Sequence, residues 1–119
     1  MAKEIVNPNG KIIISKEVIA TLAGIAATEC FGVVGMVSSR FFNDGIMTIL
    51  GKDSLSKGVD VSESDDSLHI KINVVISYGM NVTVVAKNIV ENSRYSVEKH
   101  TGLKVNNIEV NIQGVRVVD

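Results

Sequence analysis

Cysteine, proline and tryptophan are nearly missing from this 119-residue chain, which has one Cys, one Pro and no Trp. A lone thiol, Cys30, excludes an internal disulfide and leaves too few sulfur ligands for a zinc site, which fits a reducing intracellular compartment. Aromatic residues make up 4% of the chain, too few for base stacking to serve as a general binding mode. An excess of one charge is lacking too. With a net charge of −1 and a pI near 6.1, no global field draws the chain to nucleic acid or anionic lipid, and phosphate binding would need a local patch. Long apolar runs are absent: residues 18–28, the longest uncharged apolar stretch, fall well short of the roughly 20 residues a spanning helix needs. Residues 1–9 show no apolar stretch of a signal peptide.

What remains is the balance of a globular protein, 45% hydrophobic and 21% charged, well away from the composition of disordered chains. At this length one domain is expected. The β-branched run at Ile12, Ile13 and Ile14 ends at Ser15, an effective N-cap, so a strand followed by a helix is expected. On that helix Val18, Leu22, Ile25 and Ala26 form the main apolar stripe. Ala20, Ala23, Gly24 and Ala27 form a separate small-residue face that suits close packing, either on the chain's own sheet or against another subunit.

Val33 to Val37 reads as a strand, and Asn43-Asp44 before Ile46, Met47, Ile49 and Leu50 reads as a short capped helix closed by Gly51. A hairpin is expected where Val59 and Val61 alternate with Asp60 and Ser62 ahead of the polar Glu63-Ser-Asp-Asp66 turn. Its second strand carries the clearest two-residue period, with Leu68, Ile70, Ile72, Val74 and Ile76 on one side and His69, Lys71, Asn73 and Ser77 on the other. Asn81 can cap a second helix that closes at Thr101-Gly102, with Val82, Val85, Ala86, Ile89, Val90 and Val97 inward and Lys87, Glu91, Arg94 and Glu98 outward. A last strand alternates Ile108, Val110 and Ile112 with Glu109, Asn111 and Gln113. These elements predict an α+β two-layer sandwich, a mixed sheet with two main helices on one face, in which the last strand joins by a parallel crossover.

Reactive side chains do not converge in the sequence. Cys30 with His69 or His100 is the only conceivable nucleophile pair, and the elements do not bring them together. Two isolated histidines do not make a metal site, Asp65-Asp66 reads as a solvated turn, and the glycines lack dinucleotide spacing; no catalytic residue, metal or cofactor is expected. Gly32-Val-Val-Gly35 formally matches the GXXG loop of KH domains, but its middle residues are apolar and it enters a strand.

The ordered set Gly10-Lys-Ile-Ile-Ile-Ser-Lys-Glu-Val-Ile-Ala20, Ile25-Ala-Ala27, Gly32-Val-Val-Gly-Met36, Ser56-Lys-Gly-Val-Asp-Val61, Ile76-Ser-Tyr-Gly-Met-Asn81, His100-Thr-Gly-Leu-Lys-Val105 and Val110-Asn-Ile-Gln-Gly-Val-Arg-Val117 resembles the alkaline shock protein family of Gram-positive bacteria, the envelope stress response proteins. The resemblance spans nearly the whole chain. It departs at Val90, where members often carry glutamine, and at Ser93, where an apolar residue is usual. The resemblance implies a cytoplasmic, non-enzymatic protein of cell-wall homeostasis that self-assembles and, in some members, is held at the inner face of the membrane by an integral membrane partner.

Three surfaces are candidates for such contacts: the small face of Ala20, Ala23, Gly24 and Ala27; the polar sheet face of His69, Lys71, Asn73, Glu109, Asn111 and Gln113; and Val84 with Tyr95, bulky groups on the outward side of the second helix. The segment from Arg40 to Lys57 is a further candidate. The alternative function is a small nucleic-acid-binding module using Lys11, Lys16, Arg40, Lys52 and Lys57 as a basic patch.

Overall fold

The computed structural model describes residues 3–38, 49–64 and 67–117. Its elements run β1 (Lys3–Asn7), β2 (Gly10–Ile14), α1 (Lys16–Thr28), β3 (Val33–Met36), a 3₁₀ helix (Lys52–Gly58), β4 (Val59–Ser64), β5 (Ser67–Ser77), α2 (Val82–Thr101) and β6 (Asn107–Arg116). The expected α+β sandwich with a mixed sheet is what the chain forms.

Both helices begin where their caps dictate, and α2 also ends at one. The Ser15 hydroxyl accepts a hydrogen bond from the Val18 amide at 3.2 Å, and the Asn81 side chain accepts one from the Val84 amide at 3.1 Å, so each helix start has one orphan donor satisfied. Gly102 ends α2 at φ +74, and its amide donates to the Glu98 carbonyl at 2.9 Å. Only glycine adopts that left-handed turn without penalty. The Glu98 carboxylate accepts from the Val105 amide at 2.9 Å, so this residue fixes the helix exit and is not part of an outward ion pair.

Strand β5 organises the main sheet. β4 pairs antiparallel with its first part, from Val59 opposite Ile72 to Ser64 opposite Ser67; β3 pairs antiparallel with its last part, with Met36 opposite Val74. A strand has two hydrogen-bonding edges, and the other edge of β5 takes β6 in parallel, from His69 opposite Asn107 to Ser77 opposite Arg116. The register slips between Val74 and Val75, leaving Gln113 as the extra residue of a bulge. α1 packs over β4 and β3, α2 over β6. The core between the layers is built from Ile19, Met36, Leu68, Ile70, Ile72, Val74, Ile76, Ile89 and Val97, all fully buried.

The α1 face differs from expectation. Val18 and Ile25 are substantially exposed, while Ile19, Ala20, Ala23, Gly24, Ala26 and Ala27 are buried. The small residues are the core face because their neighbours come very close: a Cβ on Gly24 would lie 3.2 Å from Leu55 Cβ and 3.5 Å from Met36 Sδ. On the α2 side, the buried Ser93 hydroxyl donates to the Ala23 carbonyl at 3.4 Å. The hydroxyl at this departure from the family pattern thus has a partner where the helices cross.

Two further expectations change. The short capped helix falls mostly on residues 39–48, outside the described residues, but its end does not form: Ile49 bridges Val37 in antiparallel fashion, and the Leu50 amide donates to the Met36 carbonyl at 2.8 Å. The N-terminus also holds a strand that the sequence reading missed. β1 pairs with β2 from Lys3 opposite Ile14 to Asn7 opposite Gly10, and the Asn7 side chain accepts from the Asn9 amide at 2.9 Å. Asn-Pro-Asn-Gly between two β-branched runs was the available signal. The two strands form a sheet of their own, separate from the main sheet.

Candidate interaction surfaces

The outer sheet face is assembled by register. Asp60, Lys71 and Glu109 form one cross-strand row, and Ser62, His69 and Asn107 the next. Lys71 Nζ lies 3.5 Å from Glu109 Oε2, with both side chains about half exposed. These rows line a shallow cleft of about 220 Å³, a polar, screened surface suited to recognition by hydrogen bonds.

Asn73 does not belong to that wet face. It is 1% exposed; its Nδ2 donates to the Gly58 carbonyl at 3.2 Å, and its Oδ1 accepts from Asn111 Nδ2 at 3.2 Å and Gln113 Nε2 at 3.0 Å. The alternation placed it correctly on the strand but not in depth. The carbonyl that receives its amide comes from the 3₁₀ helix, whose position no local pattern encodes. A buried amide must find such partners.

The small-residue face of Ala20, Ala23, Gly24 and Ala27 is enclosed by Leu55, Met36 and α2, so the chain's own packing occupies it. Val84 and Tyr95 are both exposed, as expected, with Tyr95 at 65%. Tyr95 also borders a groove of about 530 Å³ between the helices, together with Leu22 and Ile25 of α1 and Asn92 and His100 of α2. Lys99 Nζ stands 5.4 Å from the Tyr95 ring centroid, a cation–π distance. The sequence reading took Leu22 and Ile25 as core, so it missed this groove.

The groups with reactive potential each have their own hydrogen-bond partners or surroundings. Asn92 Nδ2 donates to Cys30 Sγ at 3.1 Å, and the thiol lies 3.5 Å from the Ala26 carbonyl. Burial pushes the Cys30 thiol up from its ordinary value, partly offset by the Asn92 hydrogen bond, so it stays protonated near neutrality and is a poor nucleophile. His100 Nδ1 sits 2.8 Å from the Ser96 carbonyl, while His69 is on the outer sheet face. No group of three or more His, Cys, Asp or Glu side chains among the described residues is placed to hold a metal ion.

The nucleic-acid alternative finds no support. A Cβ on Gly32 would lie 2.9 Å from Met80 Cε, and Val33 to Met36 is strand, so Gly32-Val-Val-Gly35 is a packed entry into a strand rather than a phosphate-clamping loop. Lys11 is 4.0 Å from Glu4. Arg40 and half of the segment from Arg40 to Lys57 lie outside the described residues.

The arrangement is that of an α+β sandwich presenting a polar sheet face, a helix groove and exposed apolar groups. A family model matches residues 4–117, and the chain belongs to the alkaline shock protein 23 family, of cell envelope-related function. It is 40% identical to the uncharacterized protein YloU of Bacillus subtilis (strain 168) over 119 residues, 100% of this chain and 99% of that one. Identity to the uncharacterized protein Spy1614 of Streptococcus pyogenes serotype M6 is 37%, covering 99% and 98% of the two chains. Among solved structures, a variant MamM CTD in a zinc form has a TM-score of 0.48 at 12% identity, covering 87% of this chain and 86% of that one. That likeness is too distant to carry an argument. No helix among the described residues is long and apolar enough to cross a membrane.

Proposed function

We propose that this protein serves the cell envelope as a non-enzymatic module that self-associates and docks on a protein partner, the partner supplying any hold on the membrane. The observation that carries this reading is the exposure of large apolar side chains, Phe31, Val117, Tyr78, Val6 and Tyr95 foremost. Such groups exposed together are characteristic of contact surfaces. The burial of the Cys30 thiol, which keeps it protonated, supports a role without thiol chemistry, and the family's envelope-related function supports the cell envelope as the place of action.

The test combines light scattering of the purified protein with fractionation of cells in which a candidate membrane partner is present or deleted. An assembly larger than a monomer, and a membrane-bound fraction that disappears with the partner, are expected. A strict monomer recovered wholly in the soluble fraction in both strains would refute the proposal. Turnover of a small molecule that is lost in Cys30→Ala or His100→Ala would refute its non-enzymatic part.

A further inference from the structure

Helix α1 carries two apolar faces, and the fold buries only one of them in full. The small residues Ala20, Ala23, Gly24 and Ala27 face the core, while the bulkier Val18 and Ile25 are 48% and 43% exposed. Leu22, between them, packs against the core with one side and lines the groove between the helices with the other. Val18, Leu22, Ile25 and Glu29 follow one another at intervals of four, three and four residues, so they form a single stripe along the helix. At roughly 1.5 Å per residue this stripe is about 16 Å long.

The second wall of the groove comes from α2. Val85 Cγ2 would lie 3.1 Å from a Cβ on Gly32, beyond the end of α1, and the Ser93 hydroxyl reaches the Ala23 carbonyl near the middle of that helix. The two helices therefore run in opposite directions. Lys99 and His100 of α2 stand toward the Leu22 end of the groove, and Asn92 stands with Glu29 at the other. Tyr95 rises between these ends, with Lys99 Nζ 5.4 Å from its ring centroid. The groove of about 530 Å³ is thus apolar along its middle, cationic at the Lys99 end and anionic at the Glu29 end.

Resting on the partner docking proposed above, we infer that this groove receives an amphipathic helix of the protein partner, acidic in its first turn, basic in its last and antiparallel to α2. The lining selects a helix. Its side chains recur at three- and four-residue spacing, which forms the ridges that a third helix packs between. An extended peptide would leave its own amides and carbonyls unpaired against Leu22 and Ile25, whereas a helix satisfies its own. Sites for small molecules enclose most of the ligand, but with Tyr95 65% exposed this groove is open along one side, where the polar face of a docked helix stays in water. The end charges select the direction. An acidic first turn meets Lys99 and a basic last turn meets Glu29, and both placements also suit the partner's own helix dipole.

Fluorescence anisotropy on the full chain tests this with a labelled helical peptide of about four turns, carrying leucine along one stripe, glutamate in the first turn and lysine in the last. The peptide is stapled on its polar side, because short helices are marginal in water. The wild type is expected to bind it, and Ile25→Glu to bind about tenfold more weakly or worse, as loss of a central contact does. Lys99→Glu should weaken binding about three- to fivefold and regain it with a peptide whose first-turn glutamates are replaced by lysine. Both side chains are exposed, and circular dichroism checks that each variant folds. The second arm is fractionation of cells carrying Ile25→Glu, whose membrane-bound fraction should fall as it does when the partner is deleted. A wild type that ignores the peptide, or an Ile25→Glu variant that binds it equally well, overturns the inference. So does loss of self-association in Ile25→Glu with the membrane-bound fraction intact, the outcome that groove-to-groove pairing of two copies dictates. An unchanged membrane-bound fraction in the variant overturns the groove but leaves docking standing through another surface. Absence of a membrane-bound fraction in the wild type overturns the docking reading together with this one.

Discussion

Ile12-Ile13-Ile14 in β2 and Val74-Val75-Ile76 in β5 are nearly the same sequence in chemical terms, yet they meet opposite environments. The β5 triplet is fully buried, whereas Ile12 and Ile13 are half exposed. The difference is in the neighbours. β5 has β3 and β4 on one edge, β6 on the other and the helices across one face, while β2 has only β1. β-Branched runs specify an extended chain; burial is decided by how many other segments arrive, and the run itself holds no record of that.

The largest effects should fall on the β5 side of this contrast. Ile72→Ala, at the centre of the core, is expected to lower unfolding free energy by about 2–5 kcal/mol, whereas Ile12→Ala should change the stability of the monomer by about 0.5 kcal/mol or less. Urea unfolding of both at low protein concentration makes the measurement, and equal losses would break the comparison. Next in size is Asn73→Ala, which leaves the Gly58 carbonyl and the amides of Asn111 and Gln113 short of a partner and is expected to cost about 1–3 kcal/mol by the same assay.

Cys30 supplies a pH-dependent test. Its folded value lies above the ordinary 9.0, so the thiol's contribution is complete below that pH and is lost as pH rises toward the folded value. Unfolding curves of wild type and Cys30→Ala should therefore keep a constant offset from pH 7 to 8.5, with the wild type losing ground above pH 9. An offset that moves the other way would mean that the thiol is not buried. The smallest effect is expected at the exposed Lys71–Glu109 pair, where Lys71→Ala should shift stability by about 0.5 kcal/mol or less; a loss as large as that of Asn73→Ala would mean that the outer face is not solvated.

Much of the fold was legible because local rules sufficed. The alternation of β5, the caps at Ser15, Asn81 and Gly102 and the parallel return through α2 are all written in neighbouring residues. What was not legible depended on distant ones. The buried side of α1 could not be read from its wheel, because bulk at Val18 and Ile25 outweighed the small residues until Leu55 and Met36 were seen to press against Gly24. The depth of Asn73 depended on Gly58 and on a bulge at Gln113. The groove beside Tyr95 was missed for the same reason: it needs two segments that only folding brings together.

The trio formed by Asn73, Asn111 and Gln113 has a consequence for how β6 finds its place. Val110 and Ile112 could trade positions against β5 with little loss of oily contact, since a two-residue slide exchanges one branched side chain for another. The same slide would leave at most one of the two donors at an acceptor that is buried from water. A few amides thus act as the key to alignment, admitting one setting of the last strand where greasy contacts alone would accept several.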